Sequence, residues 1–360
     1  MRLAGRCLPA MAAALVAALA GGTAAAAPVV ATAATIRDFM IQNVCLDAAG
    51  RVLVGVSPID GDPACVAERD LRPGEKLPYH KQDQPSPFDR LSAPGGYQRH
   101  DSVPVATAGL GTVVEDSFDF GAGAGRRFGV FDRGSDGGDI VVLSPDAASI
   151  GATRDAGGFK LWVGRCRGRV TAAALRHSWL VATYDAVHAA PLAGHATAWL
   201  NATRAVRSSV CPARFNPAYT RWRVAPFRYR AAPGQGPPVT LTTLISEHYG
   251  GADPATADHV ERFYFTRRLG STRWERWQNA NGDAAVSAAW VRRRAAWFAA
   301  TGRCSRAPPP QGAPMLMIDC REWTHIVPPA DPKGDPPGFF LDAIRARPDM
   351  PAFFAPPQRH

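Results

Sequence analysis

Three observations predict an all-β fold, a jelly-roll-like β-sandwich with short helical or extended additions at its N- and C-termini. The stretch from Tyr97 to Gln278 breaks into short runs rich in Val, Thr, Phe, Tyr and Trp, separated by Gly, Asp or Pro clusters, which is how antiparallel strands joined by turns read. No strand-like run alternates regularly with a long amphipathic helix, so a doubly wound parallel sheet is not expected. Six cysteines follow Cys7, an even number without a C-x-x-C spacing, which points to disulfides and away from zinc or thiol-redox chemistry.

The chain begins in the manner of an export signal. Arg2 and Arg6 precede an apolar run from Leu8 to Ala20, and small residues lead to Ala27 and Pro28, so residues 1–26 are expected to be removed, with Ala31-Thr32-Ala33 as a second cleavage site. The apolar run is shorter than the roughly 18 to 20 residues a membrane span needs. Cys7 lies before that run, where a lipoprotein cysteine does not sit, and no later stretch is long and apolar enough to span. The mature protein is therefore expected in the periplasm or outside the cell, without a transmembrane span.

Residues 27–96 read as an N-terminal helix, a hairpin strand and a Pro-rich arm. Ile36, Phe39, Met40 and Val44 recur at spacings of three and four, which predicts a helix over 35–44. A strand over 51–56 follows, and the density of Pro, Gly, Asp and Lys from 60 to 96 reads as an ordered arm outside the core. Residues 97–280 form the expected β-sandwich domain, with strands at 102–106, 112–120, 126–131, 140–143, 159–164, 178–185, 197–200, 220–230, 239–247, 260–267 and 272–278. Within 220–230, Trp222 and Val224 share one parity and Phe227 and Tyr229 the other, which places a register-shifting bulge at Pro226.

Residues 281–360 read as a C-terminal helix, a strand and a Pro-rich extension. The helix is expected over 284–300, with Asp283 as N-cap, Val286, Trp290 and Trp297 on one stripe and Gly302 just beyond its end. A single strand over 316–327, a short helix over 339–345 and an extended tail complete the chain.

The composition, 46% hydrophobic and 20% charged with 34 Gly and 32 Pro, excludes a disordered or fibrous chain. The formal charge of +10 becomes +8 when Arg2 and Arg6 leave with the signal. Only four of the 41 basic residues are lysine, an arginine bias that codon composition can produce, and no nucleic-acid partner is expected of an exported chain on charge alone. Among the 15 connectivities open to six cysteines, nearest-neighbour closure has the least loop entropy to overcome, which predicts Cys45 with Cys65, Cys166 with Cys211 and Cys304 with Cys320.

Several catalytic signatures are absent: there is no H-E-x-x-H, no G-x-x-x-x-G-K-[ST] and no G-x-S-x-G. His100-Asp101-Ser102 holds triad residue types, but neighbours in a strand point to opposite faces, and a surface strand is the simpler reading. Glu115 and Asp119 share a face at a separation of about 13 Å, too far for a glycosidase pair at about 5 to 9.5 Å. With Asp116 facing away, these acids read as a solvated strand. Asp132, Asp136 and Asp139 in a Gly-rich turn form a weak candidate for structural calcium, against a plain Asp/Gly turn; no other cofactor is expected. His188 and His195 flank Pro191 and Gly194 and make a poor ligand pair, and Asn201-Ala202-Thr203 matches a glycosylation sequon that carries little weight in a bacterial-type exported chain.

The most informative stretch runs from Ile245 to Gln278. A two-residue Gly270-Ser271 loop would set Trp277 opposite Tyr264 but Arg268 opposite Arg273, a like-charge pair that a longer loop avoids. In either register Tyr264, Trp274 and Trp277 gather on one hairpin with Arg262, Arg273, Glu261 and Glu275, beside Glu247 and His248. Aromatic faces stack on sugar rings and charged groups bond their hydroxyls, so a lectin-like carbohydrate-binding protein with a glycan or polysaccharide partner is the first functional expectation. A glycoside hydrolase or polysaccharide lyase using two of Glu247, Glu261 and Glu275 is the second, and a structural envelope protein with no small ligand the third. The competing reading of the hairpin itself is core, with buried tryptophans and paired charges.

Overall fold

The computed structural model describes residues 29–59, 61–82, 99–107, 111–119, 139–155, 158–163, 166–170, 178–184, 190–198, 217–230, 238–283, 286–302, 304–329 and 331–335. The fold is all-β and sandwich-like, with two helices among the described residues.

The N-terminal helix α1 (Ala33–Met40) is capped by the Thr32 hydroxyl, which accepts from the Thr35 amide at 3.0 Å, and buries Ile36, Phe39 and Met40. Val44, expected on the same helix, instead lies in β1 (Asn43–Leu46), which pairs with β2 (Ala67–Asp70) in a separate two-stranded sheet. Residues 51–56 make a single bridge, Val52 to Leu46, in place of the expected strand.

A nine-stranded antiparallel sheet contains β3 (His80–Gln82), β4 (Arg99–Thr107), β5 (Gly111–Asp119), β6 (Asp139–Leu143), β7 (Ala147–Asp155), β8 (Gly158–Val163) and β9 (Cys166–Val170) in neighbouring order. β10 (Trp179–Thr183) pairs with β7. The arm expected outside the core is part of it: β3 is buried throughout, and so are Leu71, Leu77 and Tyr79. Prolines bracket this short strand without entering its ladder, which is why composition alone concealed it.

A six-stranded meander follows: β11 (Ala193–Ala198), β12 (Ala218–Tyr229), β13 (Val239–Tyr249), β14 (His259–Thr266), β15 (Gly270–Asn279) and β16 (Met315–Glu322). No bulge occurs at Pro226, because the β12–β13 register runs unbroken from Thr220 opposite His248 to Tyr229 opposite Val239. Val224 donates its amide to Leu192 at the end of β11, and Pro226, two residues on and facing the same edge, lies past that end, so its missing N–H removes no ladder bond. The parity change has another cause: both faces of the sheet are covered. Trp222, Leu244, Phe263 and Phe265 join the main core with residues of β4, β6, β7 and β10, whereas Phe227, Tyr229, Ile245 and Tyr264 cluster on the opposite face.

The second helix, α2 (Ala288–Thr301), is capped by Ser287 and ends at Gly302 in the left-handed conformation. Asp283, expected as its cap, instead accepts the Val286 amide at 2.8 Å in the turn before it. Val291 and Phe298 form its buried stripe, and Trp297 is left 49% exposed. The strand expected over 316–327 divides at Trp323-Thr324, after which β17 (His325–Val327) crosses to pair with β3 in the other sheet.

The Cys45–Cys65 and Cys304–Cys320 disulfides are present. Cys211 lies outside the described residues, so the third pairing does too. The same holds for Asp132 and Asp136 and for the side chain of Asp139, hence for the calcium candidate, and for His188, Asn201 and the elements expected over 126–131 and 339–345.

Candidate functional site

The hairpin singled out by sequence is β14–β15, closed by the longer loop Arg267-Arg268-Leu269, so that Val260 opposes Trp277, Arg262 opposes Glu275 and Tyr264 opposes Arg273. Side chains alternate between the two faces of a strand, and this divides the candidates. Glu247, Arg262, Tyr264, Arg273, Glu275 and Trp277 share the outer face. His248, Glu261 and Trp274 belong to the opposite one, where His248 meets Trp179 and Phe263, Trp274 packs against the main core, and Glu261 pairs with Arg276.

On the outer face, directly opposed residues build a row of alternating charge. Arg221 reaches Glu247 at 2.5 Å, Arg262 bridges Glu247 at 2.7 Å and Glu275 at 3.0 Å, and Arg273 bridges Glu275 at 2.5 Å and Glu322. Glu247, Glu275, Arg273 and Glu322 are 0% exposed and Arg262 is 1% exposed. Charges survive at such depth only when paired and fully hydrogen-bonded. Glu275 meets that condition, since it also accepts from the Tyr264 hydroxyl at 2.8 Å and the Trp277 indole at 2.7 Å. Burial pulls the Glu275 carboxyl up, but the guanidinium groups of Arg273 and Arg262 outweigh it and hold it below the usual range. Burial moves the Tyr264 hydroxyl well above its ordinary value, a shift that Glu275 reinforces and that Arg262 and Arg273 oppose without reversing.

What covers this face is the Pro-rich segment after α2. Its Pro308 carbonyl accepts from Arg262 at 2.9 Å, its Ser305 carbonyl from Arg273 at 2.8 Å and its Gln311 carbonyl from the Tyr249 hydroxyl at 3.0 Å. The chemistry is complementary: three successive prolines carry carbonyls but no N–H, and an arginine face offers donors alone. Ser305 closes the row by donating its amide and its hydroxyl to Glu322 at 3.1 and 2.9 Å, and the Cys304–Cys320 disulfide ties the segment to β16.

A second buried cluster went unread in the sequence. His100, Asp101 and Ser102, expected on a surface strand, are 3%, 0% and 0% exposed, and Glu115 and Asp116, expected to solvate a strand, are also buried. The reason is β3, which lies along β4 and brings His80 and Lys81 to these residues. His80 holds Asp101 through Nδ1 and Asp335 through Nε2, both at 2.8 Å. Carboxylates therefore stand at both ring nitrogens of a fully buried histidine. Lys81 gives its ammonium protons to the Ser102 hydroxyl at 3.1 Å, the Ser271 carbonyl at 2.7 Å and the Leu269 carbonyl at 2.5 Å. Burial lowers its pKa to about 8, against the opposing pull of Asp116 and Asp101. Through these three contacts Lys81 sews the nine-stranded sheet to the end of the hairpin. Gly270 permits the approach: a Cβ there would lie 2.3 Å from that of Ser102.

The hairpin tip also borders a groove of about 290 Å³, lined by Pro58, Ile59, Thr240, Leu241, Thr242, Thr266, Arg267, Arg268 and Leu269. Thr240, Thr242 and Arg268 are exposed, and Leu241, Pro58 and Ile59 are half-buried. No local pattern announces it, because Pro58 and Ile59 arrive from a loop some 200 positions away.

A scan of protein-family models, a search of curated proteins and a search of solved structures each found no match to this chain.

Proposed function

We propose that this chain is an exported, non-catalytic binding protein with a lectin-like role, taking a carbohydrate in the groove at the tip of the β14–β15 hairpin. The groove carries the reading: its lining brings the polar residues Thr240, Thr242, Arg267 and Arg268 together with the apolar Pro58 and Ile59, a combination suited to a ring with one apolar face and hydroxyls at its edge. The expected platform of Tyr264, Trp274 and Trp277 gives way to this neighbouring site, since Tyr264 and Trp277 are 1% and 5% exposed. The export signal and the disulfides support a periplasmic or extracellular location.

The charged row supports the non-catalytic part. Glu247 and Glu275 are buried and spend their oxygens on arginines, and Glu261 is on the other face, whereas glycoside hydrolysis needs two carboxyls flanking a bound sugar. The test is titration calorimetry of the mature, oxidised protein against neutral and acidic oligosaccharides, with reducing-sugar release followed in parallel. Binding without release is the expected result. Release would return the hydrolase or lyase reading, and no heat with any saccharide would leave a structural envelope protein with no small ligand.

A further inference from the structure

The two arginines of the groove differ in how their charge is met. Arg268 reaches Glu68 at 3.0 Å with its side chain 54% exposed. Arg267 makes no direct ion pair among the described residues, although the Asp38 carboxylate lies within its electrostatic reach and within that of Arg268; its Nε is buried without a hydrogen-bond partner, and its guanidinium stands 5.3 Å over the Phe39 ring. A guanidinium that lines a groove without a direct ion pair can receive an anion there.

The loop that carries them is held rigidly. The Arg267 amide donates to Thr242 at 3.1 Å, the Arg268 amide to Asp38 at 2.8 Å, and the Arg268 carbonyl accepts from Asn43 at 2.8 Å. Arg268 is also the one non-glycine among the described residues with a positive φ, at 73°. That conformation favours glycine, so the arginine is kept there at a cost to the backbone, a pattern that marks functional positions.

We propose that the sugar taken by this groove is acidic, bearing a carboxylate or a sulfate, with Arg267 receiving the charge and Arg268 forming the second arm of the clamp. This rests on the carbohydrate reading above and narrows it to one ligand class. Thr240 and Thr242 stand on the adjoining wall for the ring hydroxyls.

The test is calorimetry with four probes: a uronic-acid tetrasaccharide, a sulfated disaccharide, a neutral tetrasaccharide and inorganic sulfate, each at low and at physiological ionic strength. The expected result is that one or both acidic sugars bind, weaken as salt is raised, and lose about tenfold or more in affinity in Arg267→Gln. Arg268→Gly is the control for folding, since it relieves the positive φ: its melting temperature should hold or rise while affinity for the acidic sugar falls. Neutral and acidic sugars binding alike would overturn the charge selectivity and leave the carbohydrate reading standing. Inorganic sulfate matching the acidic sugars would overturn the saccharide part, and silence from all four probes would overturn both.

Discussion

Arg262→Met tests whether the charged row is a structural lock. The side chain is 1% exposed and gives up four partners: Glu247 at 2.7 Å, Glu275 at 3.0 Å, the Pro308 carbonyl at 2.9 Å and the Tyr264 hydroxyl at 3.4 Å. Removing one member of a buried ion pair costs roughly 3–5 kcal/mol, because the remaining charge stays desolvated. Here the lower end applies. Glu247 keeps Arg221, and Glu275 keeps Arg273, Tyr264 and Trp277, so neither carboxylate is abandoned. A loss of about 3 kcal/mol is expected, more than a hundredfold in the folded-to-unfolded ratio. Urea titration with the disulfides intact, followed by tryptophan fluorescence, measures it. The double variant Arg262→Met with Glu247→Gln should lose clearly less than the sum of the two singles, since the two side chains interact directly and the second change removes a charge whose pairing the first has weakened. A single-variant loss under about 1 kcal/mol, or strict additivity in the double, would refute a closed, water-free row.

Three further outcomes follow from the same geometry. Lys81 carries a folded pKa of about 8 against an ordinary 10.5, so its burial costs ~3 kcal/mol at neutral pH. Because the unfolded chain binds more protons between these values, stability should rise as pH climbs from about 8 toward 10.5, and Lys81→Met should flatten that slope between pH 8 and 9.5, below the range in which the buried tyrosines oppose it; equal slopes in both proteins would contradict the assignment. Trp277→Ala should cost about 3–5 kcal/mol in the same urea assay, whereas Trp297→Ala, at 49% exposure on α2, should change it by under about 0.5 kcal/mol; similar losses would mean that Trp277 is not core. Replacing both Cys304 and Cys320 by serine opens a loop of 16 residues, worth roughly 3 kcal/mol in chain entropy, and should speed amide exchange at Ser305 and Gln311 before it reaches β14; unchanged exchange there would show that the Pro-rich segment does not depend on the disulfide.

The fold class was legible because its signals are local. Alternation and turn residues placed β12 to β15 within a few positions, and entropy of loop closure favoured two disulfides between neighbouring cysteines that the structure contains. The convergence of Glu247, Arg262, Tyr264, Arg273, Glu275 and Trp277 was legible too, for residues of one parity on paired strands must meet. Whether they meet water or protein was not. That depends on a proline-rich segment some thirty residues beyond the hairpin, whose carbonyls match an arginine face only after the chain has turned through α2. His80 and Lys81 show the same limit, since a three-residue strand between prolines has no periodicity to read, and it is buried by β4 and β17 from distant parts of the chain. Sequence determined which side chains could share a face, because strand geometry fixes that within each segment. Tertiary structure decided which faces are covered, because covering is a contact between segments far apart in the chain, and it thereby closed the outer face of the hairpin beneath the Pro-rich segment.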